Sequence, residues 1–319
     1  MPKLVSVIIP TYNRAHSIVH SINSVKSQGY PNIQLIVADD GSLDNTAEVV
    51  AQFKDVEYYF QENRGQGSAR NLGLLHAKGE YIASLDSDDF WNGDFLEVSI
   101  KKLEDDNLDF VFLNWTEVSE TETMVSDWER SKKWQKYLAN SGDMWNVLDA
   151  GQVRELFLKT CPAPSSALVI RRSSFAAPWN EDMRIADDWC LILDMVLTKP
   201  CRAAFTLSRY WTKRVNSDNV YHGRHRLGII EDLGLHDEPM IAERFHDHLT
   251  FTERAIMRKR VASHHFNFGR LSIKQDGIKL RHLKSIATSF RVSPVGSVVY
   301  FVQMSYYAIK NLISGSQPS

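Results

Sequence analysis

Cysteine is scarce in this chain. Its three cysteines, Cys161, Cys190 and Cys201, are an odd number and show no metal-ligand spacing. That argues against a disulfide scaffold or a zinc ribbon and fits reduced, mostly buried thiols of a cytosolic protein. An excess of either charge is also missing: 37 Lys and Arg stand against 39 Asp and Glu, for a net charge of −2. A broadly basic nucleic-acid binder is therefore excluded, and no nucleic-acid partner is expected. With 43% hydrophobic residues, the composition is too apolar for a disordered chain.

Several motifs are absent as well. There is no GxxxxGK[ST], which removes a P-loop ATPase. The stretch NRGQGSARNLG (63–73) carries Gly65, Gly67 and Gly73, but the third glycine of a GxGxxG would fall at Arg70. The acidic run LDSDD (85–89) lacks the glycine and terminal Glu of an EF-hand. No fixed-period repeat or low-complexity tract is present.

Long hydrophobic runs are few. VSVIIP (5–10) is too short for a signal peptide and reads as a buried strand. Between Arg291 and Lys310 the chain carries no charge, but Ser293, Pro294, Ser297, Gln303 and Ser305 dilute the stretch below what a membrane span needs. Within it Val295, Val299, Val302, Tyr306, Ile309 and Ile313 recur at steps of four and three, one face of a helix. That face suits packing on its own domain or on a twin chain as a homodimer. A second, sharper reading is a helix on a membrane surface, with Arg281, Lys284 and Arg291 upstream to meet anionic lipid.

What is present is a rhythm. At 319 residues the chain is long enough for one large domain or two smaller ones. Strand-like VSVIIP (5–10), IQLIVA (33–38), VEYYF (56–60), YIASL (81–85) and DFVFL (109–113) alternate with helix-like segments. Asn13 is a candidate cap for a helix carrying Ile18, Ile22 and Val25. Further helices are expected over 44–53, over 67–78 and around Leu96, Ile100 and Leu103. This βα alternation predicts an α/β fold, a mainly parallel sheet with helices on both faces. From about 120 to 160 the rhythm breaks: Trp128, Trp134 and Trp145 fall in a charged stretch, either an insertion or helices over a site. SALVI (166–170) and CRAAFTL (201–207) read as strands, ADDWCLILDMV as a helix from about 187, and everything beyond about 225 as helical.

In such sheets ligands gather at the carboxyl ends of the strands. PTYN, DDGS and LDSDD all stand there. Taken alone, Asp39-Asp40-Gly41-Ser42 is a turn whose acid caps the next helix. As a site, it offers acceptor-only carboxylates to the N–H of a base or the hydroxyls of a ribose, with Tyr12 beside it to stack. LDSDD is otherwise a solvated turn. An oxygen-rich cluster also suits Mg²⁺ or Mn²⁺, and alternation along an extended segment sends Asp86 and Asp88 to one side and Asp89 to another. Arg64, Arg70 and Asn71 at a glycine-rich helix start are candidates for phosphate. Asp187 and Asp188 open a helix, where acids are stabilised by the dipole; facing the cluster edge, one becomes a candidate general base. The pairs His222 with His225 and His264 with His265 lack a third ligand and read as surface or supporting residues.

VSVIIPTYNR, VADDGSLDNT, ENRGQGSARNLGL, GEYIASLDSDD and ADDWCLIL, in this order, make the chain resemble the family 2 glycosyltransferases of GT-A fold over roughly residues 4 to 215. The tail from about 250 resembles the helical extension of many bacterial members. The resemblance implies a catalytic domain over 1–215 and a C-terminal helical region over 216–319. It implies inverting, hexosyltransferase-type transfer from a nucleotide-diphosphate-sugar, UDP foremost, to a glycan or glycolipid acceptor. By position, Pro10, Thr11 and Tyr12 would line the nucleotide pocket, and Asp40, with Asp39 as competitor, would read the base. Arg70, Asp86 and Ser87 would lie near the donor. Asp86 and Asp88 match the DxD motif for Mn²⁺ or Mg²⁺, with Asp89 a further candidate ligand, and Asp187 or Asp188 matches the general base. A Glu is commoner at the first of these two positions, so the choice between them stays open. The implied location is cytoplasmic, peripheral at the inner face of the cell membrane. Two alternatives compete. A nucleotidyltransferase would want a GxGxR-like loop where this chain has PTYNRAH. A non-catalytic nucleotide-sugar binder would have no need to keep every acid.

Overall fold

The computed structural model describes residues 2–119, 122–125, 132–138, 144–215 and 226–303. Trp128, His222, His225, Tyr306, Ile309 and Ile313 lie outside the described residues. The chain divides into two compact units, Met1–Met183 with Asp187–Gly223, and Arg184–Ala186 with Arg224–Ser319.

The first unit is built on one sheet. Its elements run β1 (Val5–Thr11), α1 (Ile18–Lys26), β2 (Ile33–Asp39), α2 (Thr46–Val50), β3 (Val56–Phe60), α3 (Gln66–His76) and β4 (Tyr81–Ser84). Then come β5 (Phe90–Trp91), α4 (Phe95–Asp105), β6 (Phe110–Val118), β7 (Thr123–Val125), the single turn α5 (Lys132–Gln135), β8 (Trp145–Leu148) and α6 (Ala150–Lys159). A 3₁₀ turn (Ser165–Ala167) leads into β9 (Leu168–Arg171), followed by α7 (Asp187–Thr198) and β10 (Ala203–Arg214). The strand order is β3-β2-β1-β4-β9-β6-β10-β5, with β7 on β6 and β8 on β10.

The parallel half, β3-β2-β1-β4, follows from its residues. All seven residues of β1 are buried, which requires cover on both faces and hence an apolar run without alternation. Helix α1 buries Ile18, Ile22 and Val25, the face expected from their spacing. Gly73 lets α3 lie close on β1, because a Cβ there would run into the Ile8 side chain. Beyond β4 the sheet departs from the expected parallel rule. β9 runs antiparallel to both β4 and β6, and β6 then pairs parallel with β10.

Local differences have local causes. Asn13 does not cap α1, which starts at Ile18. Its φ is +52, and its side-chain oxygen accepts the Leu43 N–H at 2.7 Å, tying the β1 loop to the β2 loop. The helix expected over 44–53 shortens to Thr46–Val50. DFVFL extends to Val118 and CRAAFTL to Arg214 because the two strands pair along most of their lengths. Between 144 and 160 the broken rhythm resolves into β8 and α6, the latter opened by a capping box between Asp149 and Gln152.

The second unit is helical: α8 (Arg226–Ile229), a π-helical stretch (Ile230–Asp237), α9 (Glu238–Arg244), α10 (Phe251–Asp276), α11 (Leu280–Val292) and helical residues 294–303. Thr250 and Glu253 form the capping box of α10, and Gly277, at φ +75, ends it. His264 and His265 are half-buried here, against Glu238 and Ser285. Among the described residues, no helix is long and apolar enough to cross a membrane.

Candidate active site

Four segments meet at the carboxyl edge of the parallel strands, and Arg70 on α3 joins three of them. Its Nε donates to Ser84 Oγ at the end of β4 (3.3 Å), and Nη2 to Asp86 Oδ1 in the acidic loop (2.7 Å). Its Nη1 donates to Asp187 at the start of α7. The side chain is 3% exposed and Asp187 1%. Burial disfavours the charged guanidinium, but Asp187, Asp86 and Asp188 outweigh it and hold its pKa above the ordinary value. A planar fork with several donors suits three acceptors at once.

The acidic loop is fastened from beneath. Asp89 is 3% exposed; its carboxylate accepts from Ser166 Oγ (2.8 Å) and from the Arg214 N–H (3.2 Å). Ser166 Oγ in turn accepts the Asp86 N–H at 3.1 Å, so one hydroxyl bridges both ends of the turn. Ser21 Oγ donates to the Asp89 carbonyl (2.7 Å), and the Trp91 indole N–H to the Ser166 carbonyl (2.8 Å). Burial first, then Asp86 and Asp88, hold the Asp89 carboxyl well above its usual range. Asp89 therefore turns toward Ser166 and β10, Ser87 is buried, and of the other two acids Asp86 is the more exposed, with 36% of its side chain open against 12% for Asp88. Asp88 is also raised, by burial and then by Asp86, while Arg14, 3.9 Å away, pulls it down. No cluster of three or more His, Cys, Asp or Glu is poised as a metal cage among the described residues.

At α7 the two neighbouring acids differ. Asp187 is fully engaged, by Arg70 and by Gln66 Nε2 at 2.6 Å. Asp188 is half-buried, accepting the Ser165 N–H at 3.1 Å and its neighbour's Trp189 N–H at 2.6 Å. Burial first and Asp187 second push its carboxyl up to about 7.

The β2 acids work largely for the fold. Asp39, fully buried, accepts from the Ser42 N–H (2.8 Å) and the Tyr58 hydroxyl (2.7 Å). Asp40, 3% exposed, accepts from Gln61 Nε2 (2.7 Å) and the N–H groups of Arg64 (2.9 Å) and Gly65 (2.8 Å). It thereby holds the loop that feeds α3, where Gly65 takes φ +95. Pro10 and Thr11 are buried at the end of β1, and Tyr12 is 43% exposed beside them. Thr11 Oγ1 and Ser165 Oγ are buried hydroxyls with no hydrogen-bond partner among the described residues, the kind of group a ligand completes. Asn71 ties α3 to the Trp179–Glu181 loop, and Arg64 pairs with Glu181 at 2.8 Å on the surface. These two side chains are thus already committed to protein partners.

Sequence reasoning missed Ser166, Gln66, Arg14 and Lys213. Lys213, near the end of β10, lies close enough to lower the Asp88 and Asp89 carboxyls. Ser166→Ala is expected to cost about 1–3 kcal/mol, since it strands the Asp86 N–H and one Asp89 oxygen in a buried place. A lower urea midpoint would register it. An unchanged midpoint would mean the bridge contributes nothing.

The model of "Glycosyl transferase family 2" matches residues 6–177. An E. coli relative, "UDP-Glc:alpha-D-GlcNAc-diphosphoundecaprenol beta-1,3-glucosyltransferase WfgD", is 39% identical over 144 residues, 44% of this chain and 56% of its own. An uncharacterized glycosyltransferase of Rickettsia conorii is 31% identical over 191 residues, 59% of this chain and 29% of its own. The match thus spans less than two thirds of either relative. Among solved structures, S. aureus TarS 1–349 in complex with UDP-GlcNAc superposes with a TM-score of 0.64 at 18% identity, covering 90% of this chain and 79% of that one. Mannosyltransferase PcManGT from Pyrobaculum calidifontis, in complex with GDP-Man and Mn²⁺, gives 0.59 at 19% identity, covering 98% and 81%. At such identity they speak for the fold, the GT-A arrangement of a sheet flanked by helices. With its family model matched over more than half its length, this chain belongs to glycosyltransferase family 2.

Proposed function

We propose that this chain, through residues 1–215, moves a sugar from a nucleotide-diphosphate donor, UDP foremost, to a hydroxyl of a glycan or glycolipid, with inversion at the anomeric carbon. The observation that carries the reading is the Arg70 fork. It ties the acidic loop to the start of α7, so that cation-holding acids and a proton acceptor share one edge. The UDP-GlcNAc complex of TarS and the UDP-Glc donor and diphosphoundecaprenol-linked acceptor in the name of WfgD support the donor and acceptor classes. Such an acceptor would place the work at the inner face of a membrane.

The acidic loop fits Mn²⁺ or Mg²⁺. Asp86 and Asp88 are hard oxygen donors, and the burial and neighbouring Asp86 charge that raise Asp88 are what a cation offsets. When bound, the cation offsets the charge that grows on the departing nucleotide diphosphate. Asp89 acts by holding the turn. Thr11 and Tyr12 line the nucleotide pocket, and Asp40 shapes it by holding the 61–65 loop.

In the reaction, Asp188 takes the proton of the acceptor hydroxyl as that oxygen bonds to the anomeric carbon from the face opposite the diphosphate. The bond to the diphosphate breaks, and its electron pair leaves with the phosphate oxygen. Ser165 orients Asp188 through its N–H. Asp187 is a positioning residue, fixing Arg70 with help from Gln66.

Incubation with UDP-, GDP- and dTDP-sugars, each with and without Mn²⁺, is the test. Release of UDP, dependent on the cation, is expected. Pyrophosphate formed from a sugar phosphate and a nucleoside triphosphate would overturn the reading in favour of nucleotidyl transfer. Binding of a nucleotide-sugar without turnover on any acceptor extract would leave a non-catalytic binder.

A further inference from the structure

From Gly277 to Ser319 the sequence holds five basic residues, Lys279, Arg281, Lys284, Arg291 and Lys310, and no Asp or Glu. The whole chain is net −2, so the remainder is distinctly acidic and the positive charge is concentrated here.

Helix α11 is packed with its polar side inward. His282 and Ser289 are fully buried and Ser285 nearly so. Ser285 Oγ donates to the His265 carbonyl at 2.9 Å, His282 Nδ1 lies 3.0 Å from the Gly277 carbonyl, and the Ser289 and Ser297 hydroxyls are 3.0 Å apart. Gly269 of α10 permits this approach, since a Cβ there would stand 2.7 Å from the His282 carbonyl. With its polar groups satisfied inward, α11 leaves Leu280 (69% exposed) and Leu283 (47%) facing out, and Phe290 (38%) at the edge of the stripe, its ring packed edge-on against buried Phe266. The next helical residues continue the outward apolar surface with Val295, Val298 and Val302. Lys279 and Arg281 are paired with Asp276. Lys284 and Arg291, a heptad apart beside the apolar stripe, are exposed and have no carboxylate partner among the described residues.

We propose that this face of α11 and residues 294–303 lies on an anionic lipid surface, apolar stripe down, with Lys284 and Arg291 at the headgroups. An exposed apolar stripe flanked by uncompensated basic residues has the arrangement of an interfacial helix. A second copy is disfavoured on the same ground. In a two-fold dimer the patch meets itself, which brings the positive pair Lys284 and Arg291 up to the same positive pair of the second copy, with no Asp or Glu from Gly277 onward to offset it. The inference is independent of the catalytic reading, because it is tested without donor or acceptor.

The full chain is centrifuged with vesicles of phosphatidylglycerol and, separately, of phosphatidylcholine. Sedimentation with the first and not the second is expected, weakened near 1 M salt, where the screening length falls to about 3 Å. Lys284→Glu with Arg291→Glu should lower binding by about tenfold or more. Leu280→Glu with Leu283→Glu, at exposed positions, should do the same with an unchanged Tm. Failure to sediment with phosphatidylglycerol at low salt overturns the proposal. So does a wild-type dimer that the Leu280→Glu, Leu283→Glu variant converts to monomer.

Discussion

Replacing Asp188 by Asn should leave a folded protein that transfers sugar about 10²- to 10⁴-fold more slowly, the usual worth of a positioned general base. The amide keeps the shape, but the Ser165 and Trp189 N–H groups bond different oxygens of Asp188, so Asn satisfies one of them. A thermal melt beside the assay separates that lost bond from the lost proton uptake. A pH profile separates the two acids of α7. The Asp188 carboxyl is pushed up to about 7, so in the wild type a growing fraction is ionised as pH rises toward that value. The rate should climb with pH through this range and level off above it, with the limb drawn lower by a cation at Asp86 and Asp88. Asp188→Asn should lose the limb. Asp187→Asn should keep it at reduced height. Full activity in both variants would remove the assignment. The same shift has a sign in stability. A carboxyl raised above its ordinary 3.8 favours the folded state most below that pH, and the contribution is lost as pH rises toward 7.

Arg70→Met should be the most destabilising change at the site. Asp187, 1% exposed, would be left as a buried carboxylate without its cation, which costs about 3–5 kcal/mol. For a chain of this size roughly 2–4 °C of Tm goes with each kcal/mol, so a fall of about 6–20 °C is expected in a thermal melt. Activity should vanish with it, because the acidic loop and α7 lose their common tie. Arg70→Lys should not rescue, since one ammonium cannot serve Ser84, Asp86 and Asp187 in the geometry of a fork. Arg70→Met combined with Asp187→Leu separates fold from function: stability should return in large part while activity stays lost. A Tm within 2 °C of wild type for Arg70→Met alone, in the sense of ~2 °C per kcal/mol, would show that the ion pair is not what holds the edge together.

How much of this was legible in the sequence differs between the two halves of the sheet. The order β1 to β4 and its helices could be read because strands buried on both faces are unbroken apolar runs, punctuated by Gly29, Pro31 and Gly79. The acids at the strand ends were visible for the same reason. β9 was legible as a strand but not in its direction. Because it runs against β4, its starting end, not its finish, arrives at the carboxyl edge and brings Ser165 and Ser166 with it. A rule that looks only after strands cannot find a serine placed before one. Nor does local pattern reveal that Asp39 and Asp40 bind their own loops, or that Arg70 faces two carboxylates rather than phosphate, the two carboxylates lying 16 and 117 residues from it. Two-residue β5 carries too few residues for any periodicity, yet Trp91 within it anchors the turn that holds the acidic loop.

The fastening of that loop also bears on the order of events as the chain is made. Asp89 depends on Ser166, 77 residues downstream, and on the backbone of Arg214, 125 residues downstream. Contacts this distant form late, after the loop-closure entropy of the intervening chain has been overcome. A ribosome that has delivered β1 to β4 has therefore made the parallel half of the sheet with an unsettled acid turn. The acid turn is complete only when β10 docks, so the edge that carries the candidate site is the last part of its unit to mature.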